Sequence, residues 1–233
     1  MKQSMILLHG LFGGLSNWEG VVTHFQPQYD IHIPSLPIYD AHTSDQLGYL
    51  VDFLSQYIRE AGLQHVILVG NSLGGHVAIL YTHRHPEQVA RLILTGSSGL
   101  YENTSMGSYP KRGNYAYIKE RVAYTFYDPA VATEALVAEV FQTTTDAQKC
   151  YCIVRMAKSA NRNYVAAILP EIPIRTLLIW GTEDKITPPE VALEFRHHLP
   201  HATLVMIDEC GHAPMMERPA EFNKILETFL AEI

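Results

Sequence analysis

Ser72, Asp184 and His212 are the three side chains whose types and positions could together make a nucleophile. A serine hydroxyl is a weak nucleophile near neutral pH. It needs a base within hydrogen-bond reach, and the base needs a third group to fix its tautomer. Ser72 stands in the turn Gly70-Asn71-Ser72-Leu73-Gly74-Gly75, between the apolar run Val66-Ile67-Leu68-Val69 and a helix-like stretch from His76 onward. A sharp strand-to-helix turn crowds the backbone on both sides, so it requires glycine where a Cβ would meet the neighbouring strand or helix; it also lifts the hydroxyl clear of the sheet. Gly181-Thr182-Glu183-Asp184 follows an apolar run at 174–180, and Gly211-His212-Ala213 follows another at 202–207. All three groups therefore fall just beyond the carboxyl ends of strand-like runs, the edge where open α/β sheets place ligands.

The elements that must carry these groups are legible as an alternation. Short apolar runs near 5–9, 29–33, 65–70, 90–95, 174–180 and 202–207 are separated by longer amphipathic stretches, the pattern of a parallel sheet wrapped by helices. A helix near 44–61 sets Leu47, Leu50, Val51, Leu54, Tyr57 and Ile58 on one face, and the last helix does the same with Phe222, Ile225, Leu226, Phe229 and Ile233. Pro219 and Pro188-Pro189 suit helix first turns, where a missing N–H costs little. The alternation breaks between about 100 and 168. Helical patterns at 114–126, 129–142 and 146–168 fill that stretch without a strand, and an all-helical insertion there is expected to cap the strand ends and wall a pocket. The expected organisation is thus a core of 1–100 and 168–233 with a helical cap at 101–167, forming one overall domain.

Composition narrows the partners. The 233 residues, 47% hydrophobic and 18% charged, suffice for one large α/β core. Seventeen Lys plus Arg against 24 Asp plus Glu leave a net charge of −7, which repels phosphate backbones and anionic membranes; neither nucleic acid nor a membrane is an expected partner. The run Met5-Ile6-Leu7-Leu8 is too brief for a signal-peptide core or a span, so a cytoplasmic location is expected. Cys150, Cys152 and Cys210 are an odd set without zinc-like spacing and read as buried thiols, Cys210 as a small packing residue. Twelve histidines include no His-Glu-x-x-His element, and the pairs His83/His85 and His197/His198 read as solvated surface.

The chain order Ser72, Asp184, His212, together with the nucleophile turn, the Trp180-Gly181-Thr182-Glu183-Asp184 acid turn and the Gly211-His212 loop, resembles that of α/β-hydrolase-fold serine hydrolases over nearly the whole length. The resemblance implies an α/β-hydrolase fold. In that family Ser72 would attack an acyl carbonyl, His212 would act as general base and then acid, and Asp184 would orient His212. His9-Gly10-Leu11-Phe12-Gly13-Gly14 resembles the family's His-Gly oxyanion loop. By that resemblance the backbone N–H of Leu11 is one oxyanion donor and that of Leu73, at the start of a helix, the second. His9 itself is expected to brace the loop rather than accept protons. Glu183, Asp208 and Glu209 compete with Asp184 for the acid role, which Asp184 takes by matching the acid position.

Departures from the family pattern refine the expectation. Only about four residues precede the strand that ends in His-Gly, so the sheet should be abridged to six strands. Serine where some relatives carry aspartate argues against haloalkane dehalogenases and epoxide hydrolases, and Leu11-Phe12-Gly13-Gly14 departs from the Gly-Gly-Pro-Gly of prolyl iminopeptidases. Hydroxynitrile lyases place threonine where Leu11 stands. The expected activity is cofactor-free and metal-free hydrolysis of a small, largely apolar carboxylic ester through an acyl-enzyme, as in small carboxylesterases. Leu11, Leu73, Phe12, Ile186 and Met215 are expected at the pocket, while Trp18 suits the core at least as well. One alternative is a meta-cleavage-product C–C hydrolase, against which stands the lack of a basic residue near the motifs for the substrate carboxylate, unless Arg112, Arg155 or Arg162 supplies it. The other is a small-ligand receptor built on a hydrolase fold. Oligomeric state is not legible.

Overall fold

The computed structural model describes residues 2–13, 18–40, 43–102 and 113–232. Six parallel strands form one sheet in the order β2-β1-β3-β4-β5-β6. They are β1 (Ser4–Leu8), β2 (Asp30–His32), β3 (Val66–Asn71), β4 (Val89–Thr95), β5 (Thr176–Gly181) and β6 (Ala202–Ile207). The expected abridged six-stranded sheet is present. The chain leaves β1 toward β2 on one side and returns to place β3 on the other, so the order reverses between β1 and β3. At such a point the loops beyond two adjacent strands diverge and open a crevice. The segments leaving β1 and β3 are the His9-Gly10 loop and the Ser72 turn.

Side-chain alternation along the strands divides the core into two. Ile6 and Leu8 face a cluster built with α2 (Gln46–Glu60), α3 (Leu73–Arg84) and α7 (Pro189–His198). Met5 and Leu7, one residue out of phase, face a second cluster with α1 (Glu19–Phe25) and α9 (Pro219–Ala231), in which Trp18 is fully buried. Trp18 is therefore a core residue. α1 was not expected from the sequence, because its seven residues are too few to display a helical period. The short α8 (Pro214–Glu217) follows the His212 loop.

Among the described residues three α-helices lie between β4 and β5: α4 (Tyr115–Tyr124), α5 (Glu134–Thr145) and α6 (Ala147–Ala160). Their starts are set by side chains that accept orphan N–H groups: Asn114 from Tyr117, Thr133 from Leu136, and Asp146 from Gln148 and Lys149. Thr133 thus starts α5 later than the expected 129, and Pro129–Val131 forms a separate 3₁₀ turn. α6 ends at Ala160 rather than 168. Among the described residues no helix is long and apolar enough to cross a membrane.

Candidate active site

The turn that carries Ser72 is built as its glycines require. A Cβ on Gly74 would run into the backbone carbonyls of Leu8 and His9, and one on Gly70 would lie 2.6 Å from Gly75 Cα, so strand and helix can meet this closely only without side chains. Ser72 is held at φ 54° and ψ −119°, a region that L-residues seldom occupy. Its backbone is pinned on both sides: its N–H donates to Thr95 O at 3.1 Å, and its carbonyl accepts from Ser98 N at 3.1 Å and His76 N at 3.2 Å. The side chain faces a cavity of about 400 Å³ that His212 also lines.

Asp184 and His212 are joined directly. His212 Nδ1 donates to Asp184 Oδ2 at 2.9 Å, in a setting where both residues are buried. The carboxylate is further held by Ile186 N at 2.8 Å, Thr187 N at 2.9 Å and the Thr187 hydroxyl at 2.8 Å. So held, it fixes the imidazole with its proton on Nδ1, which leaves Nε2 as the basic nitrogen. Burial pulls the His212 pKa down, but the charge of Asp184, its hydrogen bond and the more distant Glu102 and Glu217 outweigh this and raise it above the ordinary value. Among the described residues no hydrogen bond joins the Ser72 hydroxyl to His212; the two share a cavity, and such contacts commonly tighten only with substrate in place.

Glu183 does not take the acid position. It accepts Cys210 N at 3.0 Å and the Thr182 hydroxyl at 2.6 Å, tying the acid turn to the histidine loop. Glu209 pairs with Arg218 at 3.0 Å and Asp208 is exposed. Asn71 Nδ2 donates to the carbonyls of Thr95 and His212, both at 3.1 Å, so the residue before the serine anchors the histidine loop to the sheet. Glu217 accepts Gly211 N at 2.9 Å and Tyr127 N at 2.7 Å, joining that loop to the segment after α4. Cys210 is fully buried, and desolvation pushes its thiol far up, which suits packing rather than chemistry.

The loop that carries Leu11 runs beside the elbow that Leu73 continues: a Cβ on Gly10 would lie 3.2 Å from that of Ser72. Leu73 begins α3, so its N–H has no partner one turn earlier, and the helix dipole adds positive potential there. Gly13 N to Gly10 O, 3.2 Å, closes a turn over Leu11 and Phe12. His9 braces this loop: Leu36 N donates to Nε2 at 3.0 Å, so Nδ1 carries the proton and donates to Gly10 O at 2.8 Å. Burial lowers its pKa and keeps it neutral. Gly14 lies outside the described residues.

Phe12, Ile186, Met215 and Leu11 line the cavity. The Leu73 side chain does not; it packs into the core beside α2 and α3. Arg155 and Arg162 point to a separate cleft on the opposite side of α6, and Arg112 lies outside the described residues. Among the described residues the cation lining the cavity is Arg121 of α4, whose guanidinium lies over Tyr117 and Tyr124 at 5.7 and 5.5 Å. Its signal was in the sequence: Ile118, Arg121, Val122 and Thr125 form one helical stripe and all line the cavity. Glu102, beyond β4, lines it too and had no motif to mark it.

Residues 5–225 match the alpha/beta hydrolase family. The chain is 24% identical over 253 residues to a 2-hydroxy-6-oxo-6-phenylhexa-2,4-dienoate hydrolase of Comamonas testosteroni, across 99% of this chain and 88% of that one. It is 30% identical over 183 residues to a 2-hydroxymuconate semialdehyde hydrolase of Pseudomonas putida, across 73% and 64%. Among solved structures, an alpha/beta hydrolase enzyme from the metagenome of sediments of the Mar Chica lagoon, Morocco, is 38% identical and superposes with a TM-score of 0.79, covering 98% of this chain and 90% of that one. Its sheet, its turns and the extent of this match make the chain a member of the alpha/beta hydrolase family.

Proposed function

We propose that this chain is a serine hydrolase that cleaves the carbon–carbon bond beside a ketone in a carboxylate-bearing vinylogous 1,5-diketone. Ser72 is the nucleophile, His212 the base and Asp184 its orienting partner. The observation that carries the substrate class is Arg121, a cation at a mostly apolar cavity that also holds the serine and the histidine. Such a cavity takes the apolar body of the substrate, and a guanidinium meets its carboxylate. The hydrolases of ring-cleavage dienoates that this chain is similar to support the same reading.

The proposed chemistry uses these groups in turn. His212 Nε2 removes the Ser72 proton as the oxygen attacks the ketone carbon, and the N–H groups of Leu11 and Leu73 receive the oxyanion. Collapse breaks the bond to the neighbouring carbon, whose electron pair passes into the conjugated carbonyl while His212 returns a proton to the leaving fragment. Water, activated by His212, then splits the acyl-enzyme. The sum is substrate plus water giving a carboxylic acid and a dienol. Hydrolysis of small apolar esters is the second reading: it needs the same groups, and the acidic Glu102 at the same cavity favours a neutral substrate.

The test presents 2-hydroxy-6-oxo-6-phenylhexa-2,4-dienoate and p-nitrophenyl butyrate side by side. Loss of dienolate absorbance with release of benzoate, at a kcat/KM above that of the ester, is the expected result. Ester turnover alone would replace the first reading by the second. Turnover of neither, with a thermal shift on adding the dienoate, would point to a ligand receptor.

A further inference from the structure

We propose that Glu102 is a second acidic partner of His212, steadying the imidazolium from the cavity side while Asp184 steadies it from behind. The inference rests on His212 serving as the base for Ser72. Glu102 is the seventh residue after β4, on the segment that begins beside the elbow. Its carboxyl lies within electrostatic reach of Ser98, and Ser98 donates to the Ser72 carbonyl through its N–H at 3.1 Å and its hydroxyl at 3.3 Å. The acid thus lies four residues beyond the one that holds the nucleophile's carbonyl, on the wall of the same cavity.

Among the described residues four charged groups surround His212 or its cavity. Asp184, on the turn after β5, is committed to Nδ1 and to three donors of its own turn. Glu217 of α8 is committed to the N–H groups of Gly211 and Tyr127. Arg121 of α4 lines the cavity over its two tyrosines. Glu102 is the carboxyl that both lines the cavity and acts electrostatically on His212. Desolvation raises its own pKa, while His212 and Ser98 pull in the other direction, so Glu102 and His212 favour each other's charged forms. A partly buried carboxyl at a largely apolar wall is costly to keep, and the imidazolium that forms during reaction is the group that repays it.

The experiment is the pH dependence of fluorophosphonate labelling of Ser72 in the parent, Glu102→Gln and Glu102→Asp. Labelling requires neutral His212. Removing the negative charge leaves the imidazolium less stable, so the midpoint of the acid limb should fall by about half a pH unit in Glu102→Gln. Glu102→Asp, which keeps the charge, should return it toward the parent. A Glu102→Gln midpoint equal to the parent's would overturn the inference. Thermal melts verify folding, and Glu102→Met, another neutral side chain of similar length, carries the same expectation should Glu102→Gln not fold. Absence of labelling in the parent at every pH would instead overturn the Ser72–His212 pair on which the inference rests.

Discussion

Asp184 meets His212 through a 2.9 Å hydrogen bond between side chains that are 0% and 8% exposed respectively. At such burial the carboxylate decides which imidazole nitrogen is basic. Asp184→Asn keeps the shape but presents an amide, which can donate to Nδ1 and stabilise the wrong tautomer. We expect kcat to fall by about 10³- to 10⁴-fold with little change in KM. Steady-state kinetics on p-nitrophenyl butyrate would check this, and a loss of less than tenfold would contradict it.

The raised His212 pKa gives a signed pH dependence. The neutral base is needed for attack, so kcat/KM should rise with pH through a midpoint above the ordinary histidine value of about 6.5. Stability runs the other way. A histidine that holds its proton more tightly folded than unfolded contributes stabilisation that is fully present below the unfolded value and is lost as pH rises through the folded one. The melting temperature of the parent relative to His212→Gln should therefore be most favourable on the acid side and decline through that window.

Ser72 occupies a strained backbone at φ 54°. Such conformations cost about 1 to 3 kcal/mol for a residue with a Cβ, and glycine escapes most of that at an entropic cost of roughly 0.5 to 1 kcal/mol. Ser72→Gly should therefore be inactive yet more stable, with a melting temperature higher by about 2 to 4 °C. A lower melting temperature would show that the hydroxyl, not the backbone, dominates the local energetics.

Much of this was legible because each feature has a local cause. The elbow glycines, the helix first turns at Pro189 and Pro219 and the short apolar strand runs are all consequences of neighbours in sequence. What escaped depends on distance. Asn71 reaches the carbonyl of His212, 141 positions away. Glu102 and Arg121 line one cavity only because the segment after β4 and the helix α4 border the same space. Their types were visible; their convergence is a property of the fold.

Arg121 decides between substrate classes. A charge-assisted hydrogen bond to a substrate carboxylate contributes about 1.5 to 3 kcal/mol. Arg121→Met should raise KM for the carboxylate-bearing dienoate by roughly 10- to 100-fold at that magnitude. It should leave the neutral butyrate ester within about threefold, since that substrate offers no anion. Equal losses on both substrates would assign Arg121 to the packing of α4 against Tyr117 and Tyr124.

The central claim is that Ser72 is activated by His212. Intact mass and peptide sequencing after fluorophosphonate treatment test it most directly. A single adduct is expected on the Ser72 peptide in the parent, none in Ser72→Ala, and at least a hundredfold slower labelling in His212→Ala, the effect of losing a general base worth about 10²- to 10⁴-fold. An adduct on another residue, or equal labelling of parent and Ser72→Ala, would contradict it.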